Sequence, residues 1–189
     1  EIIKRENSVK LLGVTIDNNL DFNEHVSKLC KKASTKLHAL SRIAQYIDKS
    51  KLRILMKAFI ESQFSYCPLI WMFHNRTINN RINAIHERAL RIVYGDNETT
   101  FEQLLAKDNC LSIHERNLKK LAIEMYKVKN DLAPKFMKNI FTESDHPYNL
   151  RKKAEFMTNN VHTEFCGTET ISFRGPKVWS LVPDEIKTS

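Results

Sequence analysis

Apolar residues recur at three- and four-residue steps through most of the first 130 residues, and this periodicity constrains the fold more than any other feature. Such spacing places side chains on one face of an α-helix, because each residue turns the helix by about 100°. The chain has only 4 Gly and 5 Pro in 189 residues, so few positions interrupt the pattern. The sequence therefore predicts a mainly α fold.

Local signals place the ends of the expected helices. Asp21 and Ser112 are predicted N-caps, since each is followed three residues later by Glu, as in a capping box. Gly95 is a predicted C-terminal stop, and Pro68 limits the second helix because proline disfavours helical geometry in the preceding residue. The predicted helices cover about residues 21–47, 48–67, 77–93 and 112–133, with shorter pieces at 101–107 and 135–140.

The two ends of the chain have a different character. Residues 8–17 are β-branched and apolar and end in a turn-forming Asp-Asn-Asn, which predicts a strand that residues 1–5 could pair with. After Thr142 the helical periodicity stops, and only residues 168–173 suggest a further short strand. We expect a helical bundle (21–142), preceded by one or two short β-strands (1–20) and followed by an extended, weakly structured C-terminal arm (143–189).

The positive charge of the chain is concentrated in one stretch. Residues 28–57 contain nine basic residues and a single acid, Asp48. The rest of the chain has 21 basic and 21 acidic residues, so this window carries the whole formal excess of +8. Eight of these residues are candidate nucleic-acid contacts: Lys28, Lys31, Lys32, Lys36, Arg42, Lys49, Lys51 and Arg53.

Within the first predicted helix, the basic residues lie opposite the apolar face. Lys28, Lys32 and Lys36 repeat every fourth residue without an interleaved carboxylate, and like charges at that spacing destabilise an isolated helix. A polyanion beside the helix would reverse the sign of this effect. Two interpretations remain open: a surface that binds nucleic acid, or a basic face that only interacts with solvent.

No residue is a candidate for catalysis or metal binding. The two His-Glu-Arg segments at 86–88 and 114–116 have Leu90 and Leu118 where a zincin-type helix needs its second His. The four cysteines are widely separated, without zinc or redox spacing, which favours reduced thiols in an intracellular protein, cytoplasmic or nuclear. No apolar segment approaches the roughly 20 residues of a membrane span. We expect no cofactor, no membrane association and no small-molecule substrate.

Two aromatic segments have competing interpretations. The stretch 64–73 is the most apolar part of the chain, and burial in a core is favoured over a base-stacking platform. In the stretch 173–179, Phe173 and Trp179 flank two cations. That arrangement suits stacking on bases, but the same two side chains would equally serve as anchors that dock the arm.

Five motifs, read in order, resemble the region that follows the catalytic palm in non-LTR (LINE-type, jockey- or CR1-like) retrotransposon reverse transcriptases. They are Leu11-Leu12-Gly13-Val14-Thr15-Ile16-Asp17 with the following Leu20, Phe22 and His25-Val26; Pro68-Leu69-Ile70-Trp71; Glu87-Arg88-Ala89-Leu90-Arg91-Ile92-Val93; Tyr148-Asn149-Leu150-Arg151; and Phe173-Arg174-Gly175-Pro176-Lys177-Val178-Trp179-Ser180-Leu181-Val182-Pro183. Glu87 stands where the family usually has Gln, and Ser180 where it has Asn.

The resemblance implies a role as the thumb of an RNA-directed DNA polymerase. Leu12, Gly13 and Val14 would form a primer-grip-like edge of the palm, and the helices would hold the template–primer duplex. The family's metal-binding aspartates lie upstream of this region, so the chain would have no polymerase activity on its own, although its parent would use Mg²⁺. The expected partners are nucleic acid and the missing palm domain.

A different class of function is also compatible with the sequence. The apolar helix faces could belong to a stand-alone or domesticated helical module that binds a protein partner. Two features discriminate between these hypotheses: whether Lys28, Lys32 and Lys36 are paired with acids from later helices, and whether the strand at 9–16 leaves an unpaired edge.

Overall fold

A computed structural model describes residues 6–73, 76–144, 155–158, 167–168 and 170–187 of the chain. They form two compact units, residues 1–115 and residues 116–189. The boundaries predicted from the sequence lie after residues 20 and 142. The fold is mainly α with one two-stranded sheet among the described residues, which confirms the predicted class. The proposed pairing of residues 1–5 lies outside the described residues.

The first unit opens with an antiparallel hairpin. Strands β1 (Ser8–Leu11) and β2 (Val14–Asp17) pair with Leu11 opposite Val14. The single strand predicted over residues 8–17 is therefore wrong, since the chain reverses at Leu12 and Gly13. Both turn residues have positive φ angles, 46° and 90°, as a two-residue hairpin turn requires. Leucine rarely adopts that conformation, which explains why the sequence pattern did not reveal the turn.

The first helix, α1 (Asn23–Ile43), is followed by a 3₁₀ turn at Ala44–Tyr46. Its N-cap is Phe22, in a left-handed conformation, and not Asp21 as predicted. The Asp17 carboxylate accepts hydrogen bonds from the backbone N–H groups of Asn19, Asp21 and Phe22, and these bonds fix the turn that enters the helix.

The remaining helices of the first unit agree closely with the periodicity. Asp48 caps α2 by accepting a hydrogen bond from the Lys51 backbone N–H, and Gly95 ends α4 with a φ of 63°. The Ser112–Glu115 capping box is present at the start of α6 (Ile113–Lys129). The boundary between the two units follows Glu115 and so lies within this helix. The bounds are α2 Lys49–Phe59, a 3₁₀ turn Glu61–Phe64, α3 Pro68–Trp71, α4 Arg76–Tyr94, α5 Phe101–Asp108 and α6 Ile113–Lys129.

The core of the first unit forms where α1, α2 and α4 pack on one another. The predicted apolar face of α1 lies against it, with Val26, Ala33, Leu37 and Leu40 buried. The aromatic stretch 64–73 also contributes to this core, as expected, through the buried residues Phe64 and Trp71. The packing fixes the orientation of α1, so its polar side faces away from the core.

The second unit has its own buried cluster. Its residues come from the C-terminal half of α6, from Phe141, from the bridge residue Phe156, and from one later helix that contributes Trp179. The cluster consists of Met125, Val128, Phe141, Phe156 and Trp179. Its remaining elements are α7 Lys135–Lys138, α8 Ile171–Ser180 and α9 Asp184–Lys187.

Helix α8 corrects two expectations for the C-terminal arm. Residues 171–173 belong to a helix, so the short strand predicted at 168–173 is wrong. Gly175 and Pro176 lie inside that helix, and both are buried. A Cβ atom on Gly175 would lie 2.6 Å from Phe141 Cε1 and 2.9 Å from Met125 Sδ, so glycine allows a close approach there. Helix α8 thereby contributes Trp179 to a second core that the sequence did not predict.

Candidate nucleic-acid interface

Four cations of α1 form the centre of the predicted basic surface. Lys31, Lys32 and Arg42 are exposed, and Lys36 is half-buried. None of the four has a salt-bridge partner among the described residues. We refer to Lys31, Lys32, Lys36 and Arg42 as the α1 basic surface. Lys32 and Lys36 are thus not neutralised by acids from later described helices.

Lys28 differs from these four residues. Its Nζ lies 2.7 Å from Glu24 Oε1, one helical turn earlier, and donates to Thr15 Oγ1 at 3.3 Å. Lys28 is therefore paired with an acid that precedes it in its own helix, and not with an acid from a later helix. Both members of the pair are about half exposed, and solvent screening makes such surface pairs contribute little to stability. Lys28 could exchange this partner for a phosphate at little cost.

The cations at the start of α2 have mixed environments. Lys49 is exposed and has no salt bridge among the described residues. Lys51 lies 3.0 Å from Asp48 Oδ2, in an exposed pair. Hydrogen bonds from Ser50 and from Lys51 hold the pKa of Asp48 well below its usual value, so this carboxylate stays ionised beside Lys51. Lys49 is therefore a better candidate contact than Lys51.

Arg53 is held by a buried carboxylate, which corrects its assignment as a nucleic-acid contact. Its guanidinium donates to both carboxylate oxygens of Asp108, at 2.5 and 3.1 Å, and to the Asp108 carbonyl at 2.7 Å. Tyr94 Oη donates to the same carboxylate at 2.8 Å. These bonds connect α2, α4 and α5, so Arg53 stabilises the bundle.

The ionisation of this cluster is coupled to its burial. Burial of Asp108 opposes its ionisation, but the hydrogen bonds from Arg53 and Tyr94 outweigh that effect and lower the pKa of the Asp108 carboxyl. Burial, together with the bond to Asp108, raises the pKa of Tyr94 to about 12. At neutral pH the cluster therefore contains an ionised carboxylate, a guanidinium and a neutral phenol.

The predicted primer-grip-like residues form the tip of the hairpin and the residue after it. Leu12 is 83% exposed, and its carbonyl accepts a hydrogen bond from Tyr66 Oη at 2.6 Å. Val14 is buried, so its side chain is not available on the surface. Leu12, Gly13 and Val14 therefore do not present a common surface of side chains, because the Leu12 side chain is exposed and the Val14 side chain is buried.

Among the described residues, which begin at residue 6, one edge of the hairpin is open and the other is covered. The outer edge of β2 is covered by α1, because the Thr15 backbone N–H donates to His25 Nδ1 at 3.2 Å. Lys10 lies opposite Thr15 in the register of the hairpin. Because the backbone N–H of Thr15 points out of the hairpin, the backbone groups of Lys10 also point outward, at the free edge of β1. The exposed apolar residues Val9 and Leu11 belong to the same strand. The unpaired edge expected over residues 9–16 is therefore restricted to β1.

The two proposed arm anchors have different environments. Trp179 is buried, its ring meets Phe156 edge to face at 6.1 Å, and its Nε1 donates to Glu155 at 3.1 Å. Phe173 is half-buried, with Lys177 Nζ 4.0 Å from the centre of its ring. Trp179 is thus a core residue, whereas Phe173 remains partly accessible. The Tyr148–Arg151 motif and the last of the four cysteines, Cys166, lie outside the described residues.

Arg88, on α4, is a cation that the charge count did not single out. It is exposed and has no salt bridge among the described residues, and it lines a groove together with His38 and Ser41 of α1. Arg88 lies outside the basic window, 46 positions after Arg42, so only the packing of α4 on α1 brings it to this surface.

The described residues contain no group of three or more His, Cys, Asp or Glu side chains placed to hold a metal ion. None of the described helices combines the length and hydropathy needed to cross a bilayer. Cys30, Cys67 and Cys110 form no disulfide bond among the described residues, and burial raises the pKa of the Cys30 thiol.

Comparison with known proteins gives no match: no family model, no curated protein and no solved structure is similar to this chain. The resemblance to LINE-type reverse transcriptases therefore depends on the five sequence motifs.

Proposed function

We propose that this chain binds a nucleic-acid duplex through the phosphate backbone, without reading its sequence, and that it acts as the thumb-like part of a larger reverse transcriptase. The observation that carries the proposal is the α1 basic surface: four cations on one helix, without ion-pair partners among the described residues. Duplex phosphates would neutralise these charges and release counterions. Lys49 and, by partner exchange, Lys28 extend the contact.

Three acids of the first unit pair with cations outside α1, which supports an external partner for α1. Glu87 pairs with Arg91 of α4, Asp96 with Lys107 of α5, and Asp108 with Arg53 of α2. These acids are therefore occupied, whereas the four cations of the α1 basic surface have no salt bridge among the described residues. A surface of unpaired like charges on one helix favours a polyanionic ligand.

The sequence motifs supply the rest of the proposal. By resemblance, the catalytic aspartates belong to a palm that precedes this region, and the open edge of β1 would face it. The chain then holds the template–primer duplex while the palm performs nucleotidyl transfer with Mg²⁺. The exposed Val9, Leu11 and Leu12 also favour the competing hypothesis of a protein-binding module, in which this hairpin is the contact surface.

Salt dependence of binding tests the proposal directly. The affinity of the chain for a mixed-sequence duplex should fall with salt, with a log–log slope of roughly −0.9 per phosphate neutralised. The triple variant Lys31→Gln, Lys32→Gln, Lys36→Gln should make that slope shallower by about 2–3 units and weaken all duplex sequences alike. Fluorescence anisotropy across a salt series measures both effects.

A matched control removes the same charge elsewhere. Lys107, Lys127 and Lys138 are each ion-paired, with Asp96, Glu124 and Asp131 respectively. Their triple Gln variant has the same net charge as the α1 variant and should retain most of the slope. If both variants lose the same part of the salt slope, duplex binding responds to net charge alone and not to the α1 basic surface. Duplex affinity unchanged in the α1 variant at low salt would favour the protein-binding module.

A further inference from the structure

A groove of about 500 Å³ runs between the C-terminal half of α1 and the C-terminal half of α4. Its apolar lining comes from Leu37, Ala44 and Ile92. Polar groups surround this apolar lining, with His38 and Ser41 on α1 and Arg88, Arg91 and Asn97 on or just after α4. An apolar floor with a few polar groups around it is typical of a small-ligand site.

The charge of the groove selects an anionic occupant. No Asp or Glu lines it. Arg91 is occupied by Glu87, at 2.6 Å from Nη2 to Oε1, and by the Asp96 carbonyl. Arg88 is exposed and has no salt bridge among the described residues, so its guanidinium can form paired hydrogen bonds to a phosphate.

The groove adjoins the α1 basic surface. His38, which lines the groove, follows Lys31 by seven residues and precedes Arg42 by four, so the three lie in one row along α1. Arg42 also directly follows the groove residue Ser41. A strand whose phosphates lie along this row would reach the groove at the C-terminal end of α1.

We propose that the groove binds one nucleotide of a single-stranded extension of the bound duplex. The phosphate would bind Arg88, and the base would cover the apolar surface of Leu37, Ala44 and Ile92. This assignment rests on the proposed duplex-binding function. It adds a second feature of the nucleic acid that the chain recognises, namely the junction between duplex and single strand. Apolar side chains contact the face of a base, which all bases have, so this contact does not depend on the identity of the base.

The test compares a blunt DNA duplex with the same duplex carrying a short single-stranded extension. The parent chain should bind the extended duplex about tenfold more tightly, since a charge-assisted phosphate contact and apolar burial together correspond to such a factor. Arg88→Gln and Ser41→Glu should each abolish this increment, and Arg88→Gln should leave blunt-duplex affinity within about twofold. Both positions are exposed. The carboxylate of Ser41→Glu adjoins Arg42, so the increment of this variant is measured against its own affinity for the blunt duplex. Arg76→Gln, an exposed arginine at the other end of α4, changes the charge equally and should retain the increment.

The outcomes separate this inference from the function on which it rests. If the parent binds both duplexes equally, and the α1 lysine variant still weakens binding, the groove assignment is wrong and duplex binding stands. An increment that persists in Arg88→Gln and Ser41→Glu also overturns the assignment. If blunt duplex does not bind but a single-stranded oligonucleotide does, and Arg88→Gln weakens it, the groove assignment stands and the duplex function falls.

Discussion

At the scale of single residues, charge alone did not distinguish a ligand-binding cation from a structural one. Arg53 and Lys49 lie four positions apart in the same basic window, yet Arg53 is held by the buried Asp108 and Lys49 is exposed. The partner of Arg53 lies 55 residues away, and nothing near Arg53 in the sequence indicates it. A buried carboxylate needs a nearby cation, and Arg53 is the cation beside Asp108. The packing of α5 against α4 places this carboxylate in the bundle.

Arg53→Gln should therefore destabilise the first unit without changing duplex binding. The substitution leaves the Asp108 carboxylate without its cationic partner, at an expected cost of about 1–3 kcal/mol in the free energy of unfolding, because Arg53 is partly exposed. Urea denaturation measures the loss, and Lys49→Gln is the control, with little change expected. In duplex binding we expect the reverse: Lys49→Gln should make the salt slope shallower, and Arg53→Gln should leave it unchanged. A stable Arg53→Gln variant with a shallower slope would restore Arg53 to the interface.

His25 is the residue whose titration connects the hairpin to the bundle. Its Nδ1 accepts the Thr15 N–H, so its proton is on Nε2, which is buried without a hydrogen-bond partner among the described residues. Burial, with the nearby ammonium groups of Lys28 and Lys32, lowers the pKa of His25 below 6.5. Protonation would place a buried charge beside two cations and remove the acceptor for Thr15.

The stability of the first unit should consequently decrease as pH falls below about 6.5. In that range the unfolded chain binds a proton at His25 that the folded chain excludes, so the free energy of unfolding falls until the lowered pKa is passed. His25→Asn retains an acceptor for the Thr15 N–H but does not titrate. Urea unfolding at pH 7.5 and at pH 5 should give a larger loss in the parent than in this variant. Equal losses would show that His25 does not control the pH response.

At the scale of elements, periodicity and capping signals predicted what is local. The apolar face of α1, the Gly95 stop and the Ser112–Glu115 capping box each depend on residues within about one helical turn, and each is present. Helix α8 was missed because Gly175 and Pro176 are typical of turns in isolation. The contacts of Gly175 with Phe141 and Met125 justify a glycine there, and the sequence gives no sign of them.

The hairpin turn offers a test of local strain. Leu12 has a positive φ, a conformation that costs an ordinary side chain roughly 1 kcal/mol and that Asn tolerates. Leu12→Asn should therefore stabilise the chain by about 0.5–1 kcal/mol, since the side chain is exposed and the Tyr66 bond uses only the backbone. Gly13→Ala, at a φ of 90°, should destabilise it by a similar amount. Thermal unfolding compares the three proteins, and a loss of stability in Leu12→Asn would mean that the leucine side chain itself is needed.

At the scale of the whole molecule, function and stability are distributed differently over the two units. The α1 basic surface, the hairpin and the groove all belong to residues 1–115. In the second unit, Lys127 and Lys129 of α6 and Lys138 of α7 pair with Glu124, Glu155 and Asp131, respectively. The first unit therefore contains the proposed nucleic-acid contacts, although the formal charge of +8 is shared equally, with +4 in residues 1–115 and +4 in residues 116–189.

The two tryptophans allow the units to be followed separately, because Trp71 lies in the first core and Trp179 in the second. In a Trp71→Phe background the fluorescence reports the second unit, and in a Trp179→Phe background it reports the first.

Gly175→Ala introduces a Cβ atom 2.6 Å from Phe141, an overpacking that typically costs about 1–3 kcal/mol. It should lower the urea midpoint reported by Trp179 and leave the midpoint reported by Trp71 unchanged. Leu40→Ala, in the first core, should do the reverse, with a loss of about 2–5 kcal/mol. Equal shifts of both reporters in either variant would show that residues 1–115 and 116–189 unfold as one cooperative unit.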